Sequence, residues 1–371
     1  MQLNAGANRG TTGKKTTKPM RVLILYNKLF HYRIPVWNVL ASHCDLTVAY
    51  TQGDDSITKE IPCQFKTMHL PAKTFAKRFL IHKDNIRKLA KEYDVIVAYG
   101  DIAWLKYSTL PWDKNTKVVF HTLGVSANYN KGYDEHKKWD KVRAYFYRRA
   151  KALAFYTDYP IAKYVKLGIP EERVFVAPNT VSVQPLKEER EKKSILMIGT
   201  LYREKGIQLL LDAYLSLKDS VKLPVLKIVG NGPDYEIIKS WIEKHDMSHL
   251  ISLEGAVYDI SKKAEYFAEA IACISPKQAG LTVLESMGYG VPFITWAKAI
   301  TGGEMLNIHN GKDGVIFEED SDLVNIVRDI STNPSKYIEM GREAKKFYDE
   351  NRTIHHMAQG LWDAIQYAYD S

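Results

Sequence analysis

The chain has 371 residues, enough for two domains at roughly 150 residues each, and its 45% hydrophobic, 11% aromatic and 26% charged composition excludes wholesale disorder and fibrous architectures. The formal net charge is +9, no apolar run approaches the ~18 residues of a bilayer span, and the first twenty residues lack the apolar centre of a signal peptide. The expectation is a cytosolic protein, and the scattered Cys44, Cys63 and Cys273 read as reduced thiols with neither a disulfide framework nor a zinc spacing.

In chain order, residues 1–19 read as a flexible basic leader. Arg21–Tyr26 is a short apolar run that predicts a buried strand, followed by a helical stretch from Ile34 to Leu40. Further strands are expected at Leu46–Tyr50, Val95–Tyr99, Val118–His121, Ala152–Tyr156 and Val174–Ala177, alternating with helices at Ile81–Glu92, Glu135–Lys151 and Ile161–Leu167. Alternation of this kind predicts a parallel sheet covered by helices. The polar, proline-containing segment 178–193 suits a linker, after which the pattern restarts. Strands are expected at Ser194–Ile198, Val225–Val229, Ile251–Leu253, Ala270–Ile274 and Pro292–Trp296, and helices at Ile207–Leu217, Tyr235–His245 and Leu281–Tyr289. A last amphipathic helix covers Ile354–Tyr369.

The charge is unevenly divided. Residues 1–190 hold 32 Lys and Arg against 17 Asp and Glu, whereas the remainder holds 20 against 26. The basic half points to an anionic partner, with a solvated lysine-rich surface as the plain alternative. Within it, His136–Arg149 mixes bases and aromatics at helical spacing, as an interfacial helix against anionic lipid does, although half of that stripe equally suits a core. No nucleic-acid motif accompanies the charge, and 17 acids interrupt it.

Chemistry concentrates on the loops after the strands, where α/β sheets bind ligands. The loop after the first strand, Asn27–Arg33, contains no glycine, so the G-x-G-x-x-G turn of a dinucleotide-binding dehydrogenase is missing. In the second half, Gly199-Thr-Leu-Tyr-Arg-Glu-Lys-Gly206 leads from a strand into a helix. Its glycines permit close backbone approach, and Arg203 and Lys205 supply positive charge, so a phosphate or diphosphate is the natural guest. An ordinary βα loop with exposed bases is the competing reading. Gly230 and Gly232 lie in a second strand-to-helix turn, Ile228-Val-Gly-Asn-Gly-Pro233, which tight turning alone explains. In the third, from Ser275 to Thr295, the amides of Gly280, Leu281 and Thr282 offer another anion site, and Glu285 lies one helical turn on, where a carboxylate can take vicinal hydroxyls. A solvent-facing helix glutamate is the plain reading there. Asp54-Asp55 reads as a solvated acidic pair rather than a metal site.

The ordered set G-x-L-x-x-x-K-G, I-V-G-x-G-P, S-P-x-x-x-G-L-x-x-L-E-x-M-x-x-G-x-P and Gly302-Gly303-Glu304, with Asn310-Gly311 and Asp313-Gly314 following, resembles the second half of family-four nucleotide-sugar glycosyltransferases. The resemblance covers roughly residues 195–320 well. The first half matches more loosely, through Tyr32-Arg33, the strand end Val118–His121 and Val174–Asn179.

That resemblance implies an α/β GT-B fold, two facing Rossmann-like domains with a cleft between them. Residues 20–185, joined by a 355–371 helix crossing back, would hold the acceptor, and residues 186–354 the nucleotide sugar. Lys205, with Arg203, would neutralise the diphosphate leaving group, and His121, at a strand end, would polarise an acceptor hydroxyl or bind the sugar. A structural histidine is the alternative there. Gly199, Thr200, Gly230, Gly232, Lys277, Gly280, Leu281 and Thr282 would surround the donor, Glu285 would take the ribose, and Gly255 to Val257 would pass beside the base. Tyr32 and Arg33 would lie on the acceptor side.

Two departures stand out. Thr200 replaces the family's usual arginine, and Lys277 replaces the first glutamate of its E-x7-E pair. The implied activity is metal-independent, cofactor-free retaining transfer from a UDP or GDP sugar to a saccharide or lipid-linked saccharide in surface polysaccharide assembly. It would take place in the cytoplasm, peripherally on the inner face of the plasma membrane. A catalytically impaired nucleotide-sugar-binding protein of the same fold is the rival reading, with a nucleic-acid-binding protein behind it.

Overall fold

The computed structural model describes residues 18–76, 79–128, 132–186, 188 and 190–371. The expected leader falls, but for its last two residues, outside them. Two parallel sheets organise the molecule. The first contains β1 (Arg21–Leu25), β2 (Asp45–Tyr50), β3 (Lys66–His69), β4 (Val95–Tyr99), β5 (Val118–Thr122), β6 (Ala152–Phe155) and β7 (Val174–Val176), in the order β7-β6-β5-β4-β1-β2-β3. The second contains β8 (Ser194–Ile198), β9 (Val225–Val229), β10 (Ile251–Gly255), β11 (Ala270–Ile274), β12 (Phe293–Trp296) and β13 (Gly314–Phe317), in the order β10-β9-β8-β11-β12-β13.

The central strands are short, continuous apolar runs because helices cover both faces, and Val22–Leu25 and Ala270–Ile274 are accordingly buried throughout. In each sheet the first strand pairs on both sides, Leu23 with Thr47 and Ile96, Leu196 with Lys227 and Cys273. The strand order reverses at that strand in both sheets. A crevice therefore opens beyond its carboxyl end in each, the position where doubly wound sheets bind ligands.

The last helix, Ile354–Asp370, leaves the second sheet and buries Met357, Ala358, Leu361, Ala364, Ile365 and Ala368 in one core with Val22, Ile34 and Trp37 of the first. A glycine is required where it crosses β7, since a Cβ at Gly360 would stand 2.0 Å from the Val176 carbonyl oxygen. The helix before it, Pro334–Asn351, places Ala344 and Tyr348 in the second domain's core.

Three local expectations change. The helix expected over 81–92 is shorter, Ile86–Ala90, because Phe79–His82 pairs with Ala72–Phe75 as a hairpin. His82 is thereby drawn into the core, stacked 4.4 Å from Tyr107 and bonded at 2.9 Å to Thr51. The stretch 135–151 breaks into a 3₁₀ turn, Lys137–Trp139, and a helix, Asp140–Tyr147. Asp140 and Asp134 converge on Lys163 at 3.0 and 2.5 Å, a buried network that sequence periodicity does not encode. Strand β3, strand β13 and the helices Ile260–Ala268, Asp322–Thr332 and Pro334–Asn351 were not anticipated.

Candidate functional site

The loop after β8 supplies the site's floor. Gly199 adopts φ +119° and Gly206 φ +73°, both in the region that L side chains disfavour. Between them a 3₁₀ turn, Arg203–Lys205, folds the lysine back under the loop. The Lys205 ammonium donates to the Ile198 carbonyl at 2.8 Å, and the residue is only 3% exposed. The competing reading of a βα loop with exposed bases does not hold for this residue. Burial instead pushes its pKa down to about 8, because desolvation disfavours the cation. Among the described residues no carboxylate pairs with it, so the amine is a buried charge without a counter-ion there, in a site that opens outward.

That opening is a cavity of about 480 Å³ lined by Gly199, Thr200, Tyr202, Lys205, Ser275, Gln278, Gly280, Leu281 and Thr282. The loop after β8 forms one wall and the turn after β11 the other. Gly280 faces open space, with nothing within 4 Å of where a Cβ would stand. Among the described residues the buried Ser275 hydroxyl has no hydrogen-bond partner, which for a buried polar group marks a place for a ligand or water. A smaller cavity of about 170 Å³ lies between the linker at Gln184–Leu186 and the helix Ile260–Ala268, lined without any of these strand-end loops.

Several expected donor residues have other duties. Arg203 is exposed and absent from the cavity lining, since the tight turn separates it from Lys205. Gly230 and Gly232 stand behind the wall. A Cβ at Gly230 would lie 1.9 Å from the Gly199 carbonyl oxygen, and one at Gly232 would lie 2.2 Å from that of Leu201. Their bareness lets the two loops stack, with Leu201 N–H donating to Asn231 and Gly230 N–H to Gly255. Gly255 and Val257 lie outside the cavity lining, Val257 packing against the second domain's core.

Lys277 turns away, its ammonium 3.0 Å from Asp320 and 5.1 Å from the Trp296 ring centroid. Only its backbone serves the site, the N–H donating to the Lys205 carbonyl at 3.1 Å. Glu285 is held by Lys263 at 2.5 Å.

The first domain presents a different surface. His121, on β5, is 3% exposed with its ring edge-on to Tyr156 at 4.4 Å, and Nε2 has no hydrogen-bond partner among the described residues. Burial, then the nearby Arg33 charge, hold its pKa well below the usual histidine range, so the imidazole is neutral. Arg33 itself was expected on an acceptor-facing loop. The structure buries it to 3% exposure, donating to Asn179 Oδ1 at 2.8 Å and Met357 Sδ at 2.9 Å, with Tyr32 and Tyr156 rings 5.2 and 5.1 Å away. Its loop starts a helix that packs on the returning C-terminal helix, and the guanidinium is absorbed there. Tyr32 is half-buried and stacked on Phe30 at 5.1 Å, its hydroxyl pKa raised to about 12 by burial. The neighbouring His31 is lowered by burial and by Lys263 while Glu285 opposes this, so the two domains' loops face each other here.

Sequence reasoning passed over Tyr202, Ser275 and Lys263 as site residues. Ser275 and Tyr202 lie inside recognised motifs, and their position in the loops was the available signal. Lys263 had none. Among the described residues no cluster of His, Cys, Asp and Glu could hold a metal ion, and no helix is long and apolar enough to cross a membrane.

Two facing Rossmann-like domains, a crevice at the carboxyl ends of both sheets and a helix returning to the first domain define a GT-B protein. Residues 180–347 match the family described as glycosyl transferases group 1. An uncharacterised glycosyltransferase of Haemophilus influenzae is 26% identical over 172 residues, covering 45% of this chain and 48% of that one. The alpha-monoglucosyldiacylglycerol synthase of Acholeplasma laidlawii is 24% identical over 158 residues, 41% of this chain and 39% of its own. The matches thus span about half the length of such relatives or less. Among solved structures, Anabaena HepE in complex with UDP superposes with a TM-score of 0.69 at 14% identity, over 94% of this chain and 100% of its own.

Proposed function

We propose that this protein is a retaining glycosyltransferase that moves a sugar from a nucleoside-diphosphate sugar to a saccharide or lipid-linked saccharide acceptor in surface polysaccharide or glycolipid assembly. The observation that carries the reading is the buried, carboxylate-free Lys205 ammonium beneath a cavity walled by two glycine-containing strand-end loops. A diphosphate leaving group gains negative charge as the glycosidic bond breaks, and a desolvated cation fixed beside it stabilises that charge more in the transition state than in the ground state. The turn at Gly280–Thr282 brings backbone amides to the same anion. Glu285, oriented by Lys263, would take the ribose hydroxyls, and UDP in the HepE complex supports a nucleotide as the guest. The neutral His121 suits a hydrogen bond to a sugar or acceptor hydroxyl rather than charge neutralisation.

The acceptor side is proposed on charge and exposure. Around the helix Asp140–Tyr147, Trp112 and Tyr145 are each 48% exposed, and Lys137, Lys138 and Lys141 are exposed beside them. Such a basic, aromatic surface fits an anionic membrane carrying the acceptor, in keeping with a relative that makes a glycolipid.

Purified protein incubated with UDP and GDP sugars and lipid-linked saccharides tests the reading, through release of nucleoside diphosphate and the anomeric configuration of the product. Inverted product would refute retention. The turned-away Lys277 favours one rival, a nucleotide-sugar-binding protein without turnover. Binding with no release from any donor–acceptor pair would establish that rival instead.

A further inference from the structure

Arg33, Asn179 and Glu304 form a chain of hydrogen bonds, buried at both ends, that crosses between the domains. Arg33 belongs to the loop after β1, Asn179 to the first interdomain crossing, and Glu304 to the turn after Ile300–Thr301. That short strand pairs with Gln278–Ala279, and Gln278 lines the cavity above Lys205. Arg33 Nη2 donates to Asn179 Oδ1 at 2.8 Å, and Asn179 Nδ2 donates to Glu304 Oε1 at 2.9 Å. The Thr180 N–H adds a second bond to Asn179 Oδ1 at 3.1 Å, and the Gly302 N–H donates to Glu304 Oε2 at 2.9 Å. Arg33 and Glu304 are 3% and 8% exposed.

Chemistry fixes the orientation of the central amide. A guanidinium has only donors, so the face of Asn179 that meets Arg33 must be its oxygen, and the face that meets Glu304 must be its nitrogen. An asparagine can thus accept from one domain through its oxygen while donating to the other through its nitrogen. A second contact reinforces the same junction from the opposite side. A Cβ at Gly303, where φ is +108°, would stand 3.0 Å from the hydroxyl of Tyr133 in the first domain.

We propose that Asn179 is a positioning residue that sets the register of the two cleft walls, linking Arg33 beneath the first-domain surface to the Gly302–Glu304 turn beside the nucleotide cavity. The proposal rests on the glycosyltransferase reading only for its catalytic consequence. The mechanical claim stands on the hydrogen bonds alone. Because each end of the chain is buried, breaking one bond leaves a polar group without solvent to replace its partner, so the penalty falls on the arrangement of the walls.

A donor–acceptor exchange provides the test. Asn179→Asp keeps the acceptor for Arg33 but sets a carboxylate against Glu304. Adding Glu304→Gln turns the second bond round, with the glutamine nitrogen donating to the aspartate and its oxygen still accepting from Gly302. Two measurements are made on the full chain. Hydrogen exchange of the 300–307 and 132–134 segments is expected to speed up by about tenfold or more in Asn179→Asp and to return to within about threefold of wild type in the double variant. With a cognate donor and acceptor, kcat is expected to follow the same fall and recovery while nucleotide affinity stays within about twofold, since the cavity itself is untouched. A general folding role would lower affinity and kcat together, and the exchange would not be rescued. Unchanged exchange in Asn179→Asp, or no recovery in the double variant, would overturn the proposal. If the wild-type protein transfers no sugar, the functional reading fails, while the exchange measurement still decides the positioning claim.

Discussion

The two cleft walls are built on the same strand order yet carry their chemistry in opposite ways. The second-domain wall is an open cavity made largely of backbone, with glycines at 199 and 280 and one buried cation beneath them. The first-domain wall is closed, its polar groups Arg33 and His121 buried among Tyr26, Tyr156 and Tyr32 and satisfied, where they are satisfied at all, by residues distant in the chain. A backbone-made site is written locally, in glycine spacing. A side-chain-made site is written across the chain, as in the pairing of Arg33 with Asn179 and Met357.

If that contrast is right, the largest effect belongs to the lone cation. Lys205→Ala is expected to lower kcat/KM for transfer by about a hundredfold to a thousandfold, as loss of a preorganised charge stabiliser does. Its melting temperature should change little, because the amine makes a single hydrogen bond to Ile198 at the cost of being buried. Steady-state kinetics alongside calorimetry checks both halves, and a variant with full activity would remove the loop from the diphosphate.

Next come two glycines of opposite duty. Gly230→Ala forces a methyl to 1.9 Å from the Gly199 carbonyl oxygen, so about 3 kcal/mol of stability or more should be lost as the loops part. Gly280→Ala meets open space and should cost about 0.5 kcal/mol or less in chemical denaturation, with its effect confined to nucleotide affinity. Equal destabilisation would erase the distinction between the glycines that pack the wall and the one that lines the cavity.

The smallest expected effect lies on the outer face of the first domain. Each Lys or Arg at an anionic bilayer contributes about 1 kcal/mol. Charge reversal at Lys137, Lys138 and Lys141 should therefore release the protein from acidic vesicles in sedimentation while leaving nucleotide binding in the other domain unchanged. Binding by the wild type should weaken as salt rises. Association indifferent to lipid charge would refute the membrane contact.

The same contrast explains what the sequence disclosed. Buried parallel strands such as Val22–Leu25 announce themselves as continuous apolar runs, and Gly199, Thr200, Tyr202 and Lys205 of the motif Gly199–Gly206 line the cavity. What it could not show is direction. Periodicity does not reveal that Lys205 folds inward while Arg203 stays out, that Lys277 turns to Asp320, or that Gly230 serves a neighbouring loop rather than a ligand. Those outcomes depend on which loops stack, a long-range property. Arg33 shows this most clearly, since its burial depends on a helix more than 300 residues later, the one carrying Met357. Edge strand β3, exposed over most of its length and polar in sequence, gave no apolar signal at all.

The central claim is that a diphosphate binds over the buried Lys205 ammonium, and the pH dependence of nucleoside-diphosphate affinity tests it most directly. With a free-state pKa of about 8, the amine is charged below that pH and loses its proton above it, whereas a bound diphosphate holds the proton on. Affinity should therefore fall about tenfold between pH 7 and pH 9 in titration calorimetry, with proton uptake appearing on binding at the upper end. Lys205→Arg keeps its charge throughout, so its affinity, whatever its level, should be flat over the same range. A flat wild-type profile, or the same slope in both proteins, would contradict the account.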